Sequence, residues 1–122
     1  MGMLDVRSDL GRNRLYVTLS GFLTDREMEE GIARVIAELP RMKPGFVMVS
    51  NIADLKPTTP NGAKTLAKAM EAYKQHRIAR IVRIIGKEVL GKMQFQRVAQ
   101  EAGVPVDYVH SAADAEALLA RA

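Results

Sequence analysis

The chain has 122 residues, 48% of them hydrophobic and 26% charged, with no cysteine; that length fits one domain that buries roughly two-thirds of its unfolded surface. The apolar content excludes an intrinsically disordered chain, and the lack of cysteine excludes disulfides, thiolate metal sites and cysteine nucleophiles while agreeing with a reducing cytosol. Net charge is +4 but uneven: residues 41–100 hold 12 Lys/Arg against 3 Asp/Glu, residues 1–40 hold 5 against 7, and residues 101–122 hold 1 against 4.

A basic middle between acidic ends is read first as a solvated surface of mixed sign and second as a field that steers an anionic partner. No segment approaches the ~20 apolar residues that span a bilayer, and Met1 to Asp5 lack a basic region followed by an apolar stretch, so a soluble, cytoplasmic protein is expected.

Leu4 and Val6 alternate with Asp5 and Arg7, and Leu15, Val17 and Leu19 alternate with Tyr16, Thr18 and Ser20. With Asp9-Leu10-Gly11-Arg12-Asn13 between them, these segments predict a hairpin of two half-buried strands. Thr24 and Glu27 form a capping box, after which Met28, Ile32, Val35, Ile36 and Leu39 keep helical spacing until Pro40. Glu27, Glu29 and Glu30 crowd the first turn, where the helix dipole favours anions.

Phe46 to Val49 is a continuous apolar run, the mark of a strand covered on both faces. Pro60 suits the first helical turn with Thr59 as its cap, and Ala63, Leu66, Met70 and Tyr73 form the buried stripe, leaving Lys64 and Lys68 to solvent. Ile78 to Ile85 reads as a further buried strand, followed by a helix with Gly91, Phe95, Val98 and Ala102 on its apolar face and Gly103 as its stop. Val106, Tyr108 and His110 give a short last strand. Ser111 with Asp114 caps a final helix carrying Ala115, Leu118 and Leu119. The order ββαβαβαβα defines an α/β domain over residues 1–122 with a mixed, mostly parallel sheet. In such a sheet the loops after Gly21, Asn51 and Gly86 leave by one edge, which brings Thr58 to Gly62 near Gly86 to Lys92.

The segment Gly86 to Met93 nearly spells a phosphate-binding loop between strand and helix, but Met93 stands where Ser or Thr would hold Mg²⁺. A glycine-marked turn is the favoured reading; Gly86, Lys87, Gly91 and Lys92 remain a candidate anion site through backbone N–H groups and two ammonium groups. His76 and His110 are far apart and lack ligand spacing, so no metal or cofactor is expected. Ser20, Ser50 and Ser111 lack a nucleophile elbow, and Asp54 has no identifiable catalytic partner. Arg77, Arg80, Arg83, Lys87 and Lys92 concentrate positive charge along one strand and turn, yet three Tyr, three Phe and no Trp provide no stacking platform, which disfavours nucleic acid. Val89 and Met93 fall opposite the Phe95 face and mark an apolar patch for a partner or a second copy of the chain.

The element order, the Gly21-Phe22-Leu23-Thr24 helix opening and the loop from Asn51 to Gly62 together resemble the STAS domain of anti-sigma-factor antagonists. That family carries an Asp-Ser-Ser-Gly turn whose Ser is phosphorylated by the anti-sigma kinase. Counting back from Gly62, the resemblance places Asn61 at the phosphoacceptor, Pro60 at the preceding Ser, Thr59 at the Asp and Asn51 at the strand-end Asp. Only the glycine matches. The resemblance therefore implies a non-catalytic regulatory module without that switch, unless Thr58 or Thr59 takes the phosphate; helix capping is the favoured role of both. The expected partner-binding residues are Thr58, Thr59, Asn61, Gly62, Lys64, Lys68, Val89 and Met93, docking a kinase-like or other protein regulator. The alternative is a small anionic ligand, nucleotide or lipid headgroup at the strand edge.

Overall fold

Period-two alternation in the first twenty residues produces the hairpin: β1 (Met3–Asp9) pairs antiparallel with β2 (Arg14–Ser20), Leu4 facing Leu19 and Val6 facing Val17. A computed structural model describes residues 2–86 and 89–121, the side chains of residues 89–92 excepted. Asn13, at φ 55°, turns the hairpin, a conformation asparagine tolerates better than most residues. α1 (Asp25–Glu38) opens with the capping box: Glu27 N–H donates to Thr24 Oγ1 at 3.1 Å and Thr24 N–H donates to Glu27 Oε1 at 2.9 Å. Pro40 cannot supply an N–H to continue the helix and lies in a 3₁₀ turn, Leu39–Arg41.

The remaining elements are β3 (Val47–Asn51), α2 (Pro60–Gln75), β4 (Arg80–Ile84), α3 (Val89–Ala102), β5 (Val106–Val109) and α4 (Ala112–Ala120). Strand order in the sheet is β1-β2-β3-β4-β5, with β2 to β5 mutually parallel. β4 begins two residues later than its apolar run suggests, because Arg77 at φ 62° turns the chain and Ile78 and Ala79 connect that turn to the sheet. β5 ends at Val109, leaving His110 outside the strand.

The two faces are covered unequally. On one face Leu15, Val17, Leu19, Met48 and Ile81 pack against Met28, Ile32 and Val35 of α1, Leu66, Met70 and Tyr73 of α2, and Phe95 and Ala99 of α3. On the other, Val49, Val82 and Ile84 pack against Ala115 and Leu119 of α4. β3 and β4 are thus covered on both sides, as their continuous apolar runs require. Gly103, at φ 75°, ends α3. Among the described residues no helix is long and apolar enough to cross a membrane.

Candidate functional site at the carboxyl edge of the sheet

Three loops meet where β2, β3 and β4 end. Ile52 N–H, just past β3, donates to Ile84 O at 2.9 Å. Gly21 N–H, just past β2, donates to Asp54 O at 2.9 Å, and Lys56 N–H returns to Gly21 O at 3.0 Å. Just past β4, a Cβ on Gly86 would lie 2.3 Å from Ala53 O, so the two backbones touch and only glycine fits. The expected common rim is therefore present. Gly86, expected in an anion cradle, is a contact point between loops.

From this junction the chain runs through Pro57 to Thr58, which is 7% exposed. Its backbone is held from α3: Thr58 N–H donates to Gln94 Oε1 at 2.8 Å and Gln94 Nε2 donates to Thr58 O at 3.0 Å. Thr59 caps α2, its Oγ1 accepting from Gly62 N–H at 2.9 Å, and Pro60 occupies the first helical position. A second clamp comes from α1. The Thr59 hydroxyl donates to Asp25 Oδ1, and Asn61 Nδ2 donates to Asp25 Oδ2 at 3.1 Å.

One carboxylate thus joins the first turns of α1 and α2, where both helix dipoles favour negative charge. The Thr59 hydroxyl first, and the Asn61 amide second, hold the Asp25 carboxyl below the ordinary aspartate value. A carboxylate so stabilised is a weak base, and the hydroxyl it binds already accepts the Gly62 N–H. The arrangement is a helix cap and not an activated nucleophile.

Asn61, Lys64 and Lys68 lie exposed along one side of α2. Met93 of α3 is 53% exposed and, with Pro57, Gln94 and Arg97, lines an open hollow of about 240 Å³. Thr58 and Gly62, expected among the partner-binding residues, are buried: Thr58 turns toward Gln94, whose Oε1 accepts from the Thr58 N–H at 2.8 Å and from its hydroxyl at a long 3.5 Å, and Gly62 gives its N–H to the Thr59 cap. Lys87 lies outside the described residues, as do the side chains of Val89, Gly91 and Lys92, whose backbone belongs to the first turn of α3.

The basic stripe does not form as a surface. Arg83 is only 3% exposed, and Arg80 Nε lies 3.2 Å from Asp107 Oδ2. The reason is strand geometry: residues 80 and 83 are an odd number apart and project from opposite faces of the sheet. Among the described residues no group of three His, Cys, Asp or Glu could hold a metal ion, and His76 Nδ1 sits 3.0 Å from Ala72 O. Sequence reasoning missed Asp25 and Gln94, the two residues that hold the loop. Asp25 stands beside an already recognised cap, and nothing in the sequence connects Gln94 to Thr58 across 36 positions.

The fold built from these elements is SpoIIAA-like, the STAS architecture that the sequence resembles. A crystal structure of an uncharacterized protein with a SpoIIAA-like fold from Shewanella loihica PV-4 superimposes with a TM-score of 0.73, covering 97% of this chain and 93% of that one at 15% identity. An anti-sigma factor antagonist from Mycobacterium paratuberculosis matches with a TM-score of 0.63, covering 97% and 93% at 17% identity. No protein-family model and no curated protein matches the sequence. At these identities the likeness establishes the fold.

Proposed function

We propose that this protein is a non-catalytic regulatory module that docks on a protein partner through the exposed start of α2 and the adjoining turns of α3, without a phosphorylation switch at the start of α2. One observation carries the reading: the loop ahead of α2 is fixed from both sides, by Gln94 of α3 and by Asp25 of α1, while Asn61, Lys64, Lys68 and Met93 stay exposed around it. A surface already ordered before binding loses little conformational entropy when a partner arrives. Its chemistry, two ammonium groups on α2 and an exposed thioether on α3, suits an acidic partner surface with an apolar pocket. By the count from Gly62, the phosphoacceptor position of the anti-sigma-factor antagonists falls on Asn61, whose amide is engaged by Asp25. Thr58 is buried and the Thr59 hydroxyl is committed to its cap, which argues against either as a substitute.

Affinity capture from the protein's own cells tests this, comparing the wild type with Asn61→Trp and with Lys64→Glu/Lys68→Glu, and using Asp114→Lys on α4 as a control. Partners retained by the wild type and the control but lost by both rim variants are expected. An identical partner set on all four proteins would refute docking here, and an intact mass one phosphate heavier would refute the absence of a switch. A small anion held by Gly86, Lys87, Gly91 and Lys92 has less support, since the Ala53 carbonyl fills the space beside Gly86.

A further inference from the structure

The inner face of the sheet carries a row of polar residues where an apolar layer would be expected. Ser50 of β3 is the register neighbour of Arg83 on β4, which is in turn the register neighbour of Tyr108 on β5. Ser50 and Arg83 are each only 3% exposed. The Arg83 guanidinium stacks over the Phe95 ring at 4.9 Å, reaches Phe95 O at a long 3.5 Å and bonds the Tyr108 side chain. These contacts do not use all five of its N–H donors. Buried Nε–H has no acceptor among the described residues, and no Asp or Glu among them pairs with the charge.

Beside Arg83 is a cavity of about 20 Å³, lined also by Ser50, Tyr73, Met48, Leu66 and Phe95. A water-sized species needs about 10–15 Å³, so the cavity has room for a particle of about that size and excludes a nucleotide, a sugar or an acyl chain. Arginine stays protonated inside proteins, and a buried charge without a counter-charge is strongly unfavourable. Water would give Nε–H an acceptor but no counter-charge, which the described residues also lack, whereas a small anion supplies both.

We propose that this cavity is a binding site for a single small monovalent anion of halide size, held by the Arg83 guanidinium beneath α2 and α3. Such an ion binds the folded chain and not the unfolded one, so halide stabilises the fold by mass action. Its occupancy also fixes the packing of Phe95, and with it the helix that carries Gln94 and Met93.

The test uses the whole chain at constant ionic strength in sodium chloride, sodium bromide or sodium gluconate, whose anion is too large for the cavity. A melting temperature several degrees higher in chloride and bromide than in gluconate is expected, with the difference abolished in Arg83→Met and retained in Arg97→Met, a change at an exposed arginine. General salt effects act on all three proteins alike. Crystals grown in bromide are expected to show an anomalous peak within hydrogen-bonding distance of Arg83 Nε, a result that does not depend on the variant folding. Equal melting temperatures in the three salts overturn the proposal, as does a cavity holding only water. A bromide peak without any response in solution would be an adventitious ion only and overturns it equally.

Discussion

Replacing Gly86 by alanine tests the shared rim directly. Gly86 does not have a positive φ, so its backbone conformation is open to alanine and the substitution reports the contact alone. The new Cβ would lie 2.3 Å from Ala53 O and 3.0 Å from Ala53 C, where ordinary contact begins at 3.4 Å, so the two loops must separate by on the order of 1 Å. Neither loop is free to yield. Ile52 N–H is bonded to Ile84 O at 2.9 Å and Gly21 N–H to Asp54 O at 2.9 Å, so separation strains both bonds. Overpacking of this kind costs about 2 kcal/mol. With a urea m-value of about 1.5 kcal/mol/M, the unfolding midpoint should fall by about 1.3 M. Gly11→Ala is the control: the nearest atom to its new Cβ is Asp9 Oδ1 at 3.6 Å, and it should be neutral or stabilising. Urea unfolding followed by circular dichroism measures both. A Gly86→Ala midpoint within about 0.3 M of the wild type would show that the loops after β3 and β4 do not touch, and the proposed docking surface would go with them.

Gln94→Ala removes both partners of the Thr58 backbone and leaves a buried N–H and C=O unsatisfied, at about 1–3 kcal/mol; faster hydrogen exchange at the Thr58 amide, with the α1 amides unchanged, is the diagnostic readout. Thr59→Ala removes the cap of α2 and one arm of the Asp25 clamp and should destabilise by about 1 kcal/mol in thermal melts, with Thr59→Ser restoring most of it. Because the folded Asp25 carboxyl titrates below the ordinary value of 3.8, its contribution to stability is in place above that value and is lost as pH falls through the lowered folded one. Asp25→Asn should flatten this acid limb in a pH series of melts, and an unchanged limb would show that the carboxylate is not clamped.

Local chemistry was legible and long-range chemistry was not. Thr24 with Glu27, Thr59 with Pro60, and Ser111 each signal a helix start within four residues of sequence, and all three caps form. The hairpin and the doubly covered strands follow from periodicity, which is also local. The clamps on the loop ahead of α2 are different in kind: Gln94 and Asp25 meet it across 36 and 34 positions, and neither residue type marks such a role in advance. Arg83 shows a second limit. Its neighbours Ile81, Val82, Ile84 and Ile85 are apolar, so no alternation distinguishes the two faces, and its charge invites a surface reading. Only the covering of both faces of β4 forces that guanidinium inside.

The same unequal covering leaves the rim as the surface proposed for docking. Among the described residues α4 alone packs on the outer face, and it reaches β2 through polar contacts, Arg14 Nη1 and Tyr16 Oη each donating to Glu116, at 2.7 Å and 3.0 Å. Beyond it the outer face of the hairpin is polar: Asp5 and Arg7 alternate with Leu4 and Val6, and Arg7 stacks on Tyr16 at 4.2 Å. An antiparallel pair with one wet face needs no further cover. Charges along β1 also oppose pairing of this edge with another sheet, and at the far edge Asp107 of β5 is occupied with Arg80. With both edges charged and the inner face sealed by α1, α2 and α3, the carboxyl rim combines exposed cations, an exposed methionine and a braced backbone. A partner that binds there meets a surface whose shape is set by Gln94 and Asp25, so mutations at those two residues should weaken docking without contributing a contact.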